Sequence, residues 1–240
     1  VPTLRPSSRR NKDTITQVII ITGGNGKLGS RWRDMLVRDE RRVIAPLDLV
    51  PPGYNVDVRD REGIARAVKG ITKAYGPING LINAAAIDET PGAPEPSMRE
   101  VIDVNLLGTA NAIAEVAPHM AEGGSIINVG SIYGTVSPDQ RIYNKEPSPL
   151  ALSMSKSGLL GLTRWWATTL APEIRVNLLT LGGIEWGMGK PHRNRYSKLV
   201  PLGRPAHISD YDEAIKFLLG NGSRYMTGSE LVIDGGYTAL

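Results

Sequence analysis

Three evenly spaced glycines, Gly23, Gly26 and Gly29, follow the β-branched run Val18-Ile19-Ile20-Ile21 and precede helix-like sequence. That pattern suits the binding of phosphate. A strand that runs into a glycine turn and then a helix turns free backbone N–H groups towards an anion. Gly23 permits a sharp turn, Gly26 lets a diphosphate approach the backbone, and Gly29 lets the helix pack on the sheet. Asn25, Lys27 and Leu28 lie inside the turn and belong to the same candidate site. A second apolar run, Val43 to Leu47, closes on Asp48. An acid about 20 residues beyond the last glycine is placed to accept hydrogen bonds from ribose hydroxyls. Its charge also repels a 2′-phosphate, so the expected cofactor is NAD, with NADP disfavoured. A further group, Lys190, His192, Arg193, Arg195 and Lys198, falls in one short window beside Trp186. Cations there suit a phosphate or carboxylate, and the indole suits a sugar ring. The same window also reads as a solvated, charged loop.

These residues need a scaffold. Strand-like runs recur at 18–22, 43–48, 55–58, 80–83, 125–131, 174–179 and 230–234. Helical spacing occupies 30–38, 61–75, 98–120, 153–170 and 209–219. Regular alternation predicts an α/β chain with a single doubly wound parallel β-sheet, the Rossmann arrangement. The 240 residues suffice for one such domain over 15–240, with a flexible basic tail at 1–14 and a polar loop or substrate lid around 184–200. Hydrophobic residues make up 41% of the chain, enough for a core. There is no cysteine and only three histidines, so a cysteine metal site is excluded and no metal is expected. No apolar run reaches membrane-spanning length, and the first residues do not read as a secretory signal, so the expected location is the cytoplasm. The net charge of +4 is modest. Part of it sits in the tail at Arg5, Arg9, Arg10 and Lys12, which reads as a solvated end; no nucleic-acid motif accompanies it.

Taken together, these features resemble the short-chain dehydrogenase/reductase family over roughly residues 16–240. Thr22-Gly23-x-x-Gly26-x-x-Gly29 is similar to its glycine turn, and Asp57-Val58 to the pair that touches the adenine. Asn83-Ala84-Ala85-Ala86 resembles its Asn-Asn-Ala-Gly strand end, changed at two places. Asn105 in Asp103-Val104-Asn105, Ser131 at a strand end, and Lys156 in Lys156-Ser157-Gly158 match three members of its catalytic tetrad. Arg175-Val176-Asn177 and Asp234-Gly235-Gly236 match late fold markers. Gly130-Ser131-Ile132-Tyr133-Gly134 with Ser137-Pro138-Asp139 looks like the family's sugar-pathway members.

The resemblance implies hydride exchange between a nicotinamide and a hydroxyl or ketone. Ser131 would hold the substrate oxygen, Lys156 the nicotinamide ribose, and Asn105 a water joined to Lys156. Gly182, Gly183 and Ile184 would meet the nicotinamide end, although Leu181 stands where the family has proline. Arg193, Arg195, His192 and Trp186 would face a small, sugar- or polyol-like substrate, anionic or heavily hydroxylated. A homodimer or homotetramer is implied, with Trp165 and Trp166 on the shared surface. One tetrad member is missing. The family's tyrosine stands four residues before its lysine, one helical turn away, and here that residue is Leu152. The stretch from Ser131 to Leu152 is also longer than the family's. Another hydroxyl substitutes (Tyr133, Tyr143 or Ser153), or the chain keeps nucleotide binding without turnover as a structural or regulatory subunit, or the leucine is an introduced change.

Overall fold

The structure is a computed structural model of the chain and describes residues 17–88, 96–143 and 149–240. The proposed tail at 1–14 lies outside the described residues. Seven strands form one parallel sheet: β1 (Gln17–Thr22), β2 (Arg42–Asp48), β3 (Tyr54–Asn55), β4 (Ile78–Asn83), β5 (Met120–Val129), β6 (Ile174–Leu181) and β7 (Glu230–Ile233). Their order is β3-β2-β1-β4-β5-β6-β7. The chain winds outward from β1 in one direction, then returns to pair β4 on β1's other side. The crevice of such a sheet opens between those two strands, at their carboxyl ends.

Side-chain alternation along the strands feeds two cores. Val18, Ile20, Leu81, Ile126 and Val176 point to one face. That face is covered by α2 (Arg61–Tyr75), α4 (Gly108–Val116) and α5 (Leu150–Leu170). Ile64, Ala67, Val68 and Ile71 of α2 fall on one stripe and are buried there. Ile19, Ile21, Ile82, Ile127 and Leu179 point to the other face. It meets Trp32 and Leu36 of α1 (Lys27–Leu36) and Ile215 and Leu218 of α7 (Asp212–Leu219). A third, smaller cluster of Ile132, Ile142, Tyr196 and Val200 packs beyond the sheet. It joins the end of β5 to the short helix α6 (Lys190–Ser197).

The sequence reading needs correction at several elements. The helix expected over 98–120 is broken. It runs as α3 (Met98–Ile102), a π-helical stretch at Asp103–Leu107, α4 and a 3₁₀ turn; Met120 already begins β5. Gly108 sits where that path must be close, since a Cβ there would lie 2.5 Å from Val58 Cγ2. The polar loop expected at 184–200 contains α6. Charged residues gave it no apolar stripe, and its buried anchor is the single side chain Tyr196. The third strand ends at Asn55, so Asp57 and Val58 lie in the turn after it. The first helix begins at Lys27, inside the glycine turn, and the α5 helix at Leu150.

Candidate active site

At the crevice, β1 delivers the glycine turn against the end of β4. Gly23 has φ +63°, and a Cβ on it would lie 2.7 Å from Ala85 Cα. Both facts demand glycine. Ala84 N–H donates to Thr22 O, and Ala85 N–H to Thr22 Oγ1, so the two strand ends are laced together. Gly29 also needs its missing side chain, because a Cβ would collide with Gly23 O. Gly26 meets only Gly23 O, at 3.1 Å, on an otherwise open face. This concavity, open at Gly26 and heading α1, fits a diphosphate.

The acid at the end of β2 is fixed to that turn. Asp48 Oδ2 accepts from Asn25 N–H at 2.8 Å and Oδ1 from Val50 N–H at 3.2 Å. The Asn25 side chain donates to Val50 O and Pro52 O, and Arg33 donates to Asn25 Oδ1. The carboxylate thus has a set position beside the turn. Asp57 is engaged by Arg59 at 2.6 Å, which holds its carboxyl below the usual range. Val58 is buried, with its carbonyl accepting from Asn111. Asn83 is buried too: its amide donates to Asn128, which donates to Thr163. Its side chain ties strands to α5, while its neighbours Ala84 and Ala85 supply the surface of the crevice.

β5 and α5 bring the second set together. Lys156, 8% exposed, donates from Nζ to Val129 O at 2.7 Å. Ser131 follows two residues on, and its Oγ caps the next turn by accepting from Tyr133 N–H. The turn lies on the lysine's own segment, since a Cβ on Gly134 would be 2.7 Å from Lys156 O. Burial pulls the Lys156 ammonium down to about 8, with Asp88 opposing. Asn105, fully buried in the π-helical stretch, grips both backbone polar groups of one residue. Its Oδ1 accepts from Ile87 N–H at 2.8 Å and its Nδ2 donates to Ile87 O at 3.0 Å; Nδ2 also lies 3.3 Å from Ser155 Oγ. The amide therefore fastens the loop that carries Asp88. Asp88 escaped the sequence reading because it sits in a proline-rich loop with no motif. Electrostatically it touches Lys156, Tyr133 and Tyr143 alike.

The two candidate tyrosines meet. Tyr143 OH lies 2.7 Å from Tyr133 OH. Burial raises both phenols above their ordinary value, Tyr143 to about 12 and Tyr133 further. Neither hydroxyl bonds Lys156. Ser153 turns back on its own helix, donating to Pro149 O. Leu152 offers only its backbone carbonyl, which accepts from Ser155.

The basic window does not converge. α6 divides it between opposite faces. His192, Arg195 and Tyr196 turn towards the tyrosines: the His192 ring sits 5.4 Å from that of Tyr143, and Arg195 Nε donates to Ile142 O at 2.7 Å. Lys190, Arg193 and Lys198 line an open hollow of about 810 Å³ on the other side, where Arg193 pairs with Glu185 at 3.1 Å. Trp186 stands apart from both. It is 56% exposed, and the Lys27 ammonium sits 5.5 Å from its ring centre. The indole therefore borders the glycine turn rather than the tyrosine pair. At the turn after β6, Gly182 N–H donates to Ile233 O, and Gly183 is held by Tyr196 and Ala206. The bridge between Ile184 and Ala206 uses the peptide groups of Gly183 and Glu185, which leaves Ile184's own N–H and C=O available among the described residues.

Fold and site together define a parallel-sheet protein with a glycine-lined crevice at its switch point, beside a buried lysine and a serine. Comparison with known proteins agrees. The family model described as enoyl-(acyl carrier protein) reductase matches residues 37–238. A 3-oxoacyl-(acyl-carrier-protein) reductase of Thermotoga maritima is 34% identical over 223 residues, covering 88% of this chain and 85% of that one. A trans-4-hydroxycyclohexanecarboxylate dehydrogenase of Sinomonas cyclohexanicum is 35% identical, covering 77% and 70%. Among solved structures, a short-chain dehydrogenase of Leptospira borgpetersenii with bound NAD+ superposes with TM-score 0.84 at 29% identity, covering 98% of this chain and 99% of that one. The chain belongs to the short-chain dehydrogenase/reductase family of oxidoreductases. Among its described residues no helix is long and apolar enough to cross a membrane.

Proposed function

We propose that the protein is an NAD-dependent oxidoreductase that interconverts a ketone and a hydroxyl on a sugar- or polyol-like molecule, using the Tyr133–Tyr143 pair in place of the missing tyrosine. The observation that carries this reading is the buried Lys156, held by Val129 O beside Ser131 at the carboxyl end of the sheet. A solvated ammonium has no reason to be there; one that meets ribose hydroxyls does. Two relatives support the substrate class. A D-threitol dehydrogenase of Mycolicibacterium smegmatis is 30% identical over 199 residues, and an NAD+-bound xylitol dehydrogenase superposes at 25% identity.

When bound, the nicotinamide supplies or accepts the hydride. The chain does the rest. The backbone N–H groups of Lys27 and Leu28 and the Lys27 ammonium would meet the diphosphate, while the Gly26 N–H closes the turn on Gly23 O. Asp48 would accept from the adenosine ribose, and its charge supports NAD over NADP. Lys156 would hold the second ribose, and the free peptide groups of Ile184 would hold the carboxamide. Ser131 would donate to the substrate oxygen. The tyrosine pair shares one hydrogen bond internally, so one phenol proton stays uncommitted. An alkoxide is a stronger base than a phenolate, so that proton passes to it readily when a ketone is reduced. Because α6 turns Arg193 outward and engages Arg195 on a carbonyl, the geometry favours a neutral, hydroxylated substrate over an anionic one.

A second reading keeps nucleotide binding without turnover, and Leu152 in the tyrosine's place is the observation that favours it. Steady-state assays of reduction across ketoses and cyclic ketones with NADH, repeated with Tyr133→Phe, separate the two. Turnover that falls by about 10²–10⁴-fold in the variant supports the enzyme. NADH binding with no turnover on any ketone supports the binding subunit. We further propose a homodimer through α5, where Leu150, Met154 and Trp165 are exposed along one stripe. Sedimentation showing only monomer would refute it.

A further inference from the structure

The third apolar cluster has a shape that the family motifs do not explain. One short, highly charged helix is held at both ends of the site. On its inward face, Tyr196 OH accepts from Gly183 N–H, and its ring stacks on Tyr237 at 5.3 Å. The fit at Gly183 is close, since a Cβ there would lie 2.5 Å from Tyr196 Cζ. One turn earlier on that face, His192 meets Tyr143 edge to face at 5.4 Å. Between them Arg195 donates from Nε to Ile142 O at 2.7 Å. Ile142 is buried against Tyr196 and Val200, and it immediately precedes Tyr143. The segment that presents Tyr143 is short. Gln140–Ile142 is a single 3₁₀ turn capped by Asp139.

We propose that α6 positions the proton donor: Arg195, through the Ile142 carbonyl, and His192, through the ring of Tyr143, hold Tyr143 OH against Tyr133 OH. The proposal rests on the reading of the tyrosine pair as donor and deepens it. The helical turn before Lys156, where the family carries its phenol, holds Leu152 here. A tyrosine from a loop must be placed by something else, and α6 supplies the contacts. Tyr196 carries the same helix to the nicotinamide-end turn, so the order of that turn and the placement of the phenol are linked through one rigid element. Arg195 is accordingly a positioning residue; it touches no reacting atom.

Two measurements test this. Hydrogen exchange of peptides spanning 139–143 is followed in the wild type, Arg195→Met and Arg195→Lys. Exchange about tenfold faster in the methionine variant, with β5 unchanged and partial rescue by lysine, is expected. Unchanged exchange at 139–143 overturns the proposal whatever the activity. The second is a double-mutant cycle on ketone reduction with Arg195→Met and Tyr143→Phe. Each single change is expected to lower kcat about tenfold without moving KM for NADH, and the double variant to be no slower than Tyr143→Phe. If the two losses multiply, Arg195 does not act through Tyr143. If Tyr143→Phe alone leaves kcat unchanged, the donor reading fails instead, and the exchange result still stands as a test of the contact.

Discussion

Replacing Lys156 by methionine probes the centre of the site through both stability and binding. The ammonium is buried and its pKa falls from 10.5 to about 8. That fall corresponds to about 3 kcal/mol by which folding disfavours the charged form. The sign follows from linkage. Below pH 8 both folded and unfolded chains hold the proton, and the full cost is present. Between about pH 8 and 10.5 the unfolded chain keeps a proton that the folded chain has released, so stability rises with pH. Methionine has nothing to release and lacks that rise. It also leaves Val129 O without the Lys156 donor, which costs about 1–3 kcal/mol independently of pH. The raised phenols act oppositely, because the unfolded chain loses their protons first and stability falls above about pH 10. Both proteins share them, so they cancel in the difference. Urea unfolding of wild type and Lys156→Met at pH 7, 8, 9 and 10 is the assay. The wild type should gain on the variant by about 2 kcal/mol or more between pH 7 and 10. NADH affinity should follow the same group: the wild type weakens above pH 8, while the variant is weaker throughout and flat. Parallel stability curves would mean that the lysine is solvated, and the argument for its role would fall.

The raised phenols predict an asymmetric pH profile. With the nucleotide saturating, ketone reduction should be flat from pH 6 to 9, whereas alcohol oxidation, which needs a phenolate, should keep climbing past pH 9 in initial-rate assays; a plateau near pH 7 would contradict the tyrosine pair. Asp48→Ala should shift the NADPH-to-NADH affinity ratio about 10²-fold towards NADPH in fluorescence titrations, since a like-charge contact costs several kcal/mol. Gly23→Ala should destabilise the fold by roughly 1–3 kcal/mol and abolish NADH binding, because φ is +63° and the new Cβ meets Ala85 backbone. Lys27→Met should weaken NADH binding about tenfold, and Trp186 emission should respond to NADH in the wild type, as the two side chains border the same turn.

How much of this was legible in the residue order depends on the range of the forces involved. The glycine turn, Asp48, the alternation of strands and helices and the family's lysine and serine are local patterns, written in spacing that backbone geometry alone enforces. The missing tyrosine was visible for the same reason, as a leucine one turn from Lys156. The partnership of Tyr133 with Tyr143, ten residues apart at two separate 3₁₀ turns, required the chain to fold back. The division of the basic window also required the fold: four cations and a histidine in one stretch look like one cluster until a helix sends them to opposite sides. Asp88 gained its importance only when Asn105, from a distant π-helical stretch, pinned the loop beside it. Asn83 kept its place in the motif but turned inward, because Asn128 and Thr163 lay there to meet it. Sequence by itself determined the sheet, its winding and the floor of the crevice, since periodic burial and glycine sterics leave few alternatives. Tertiary structure alone decided which side chains face that floor, because long-range packing sets the direction of each loop residue and no local rule encodes it.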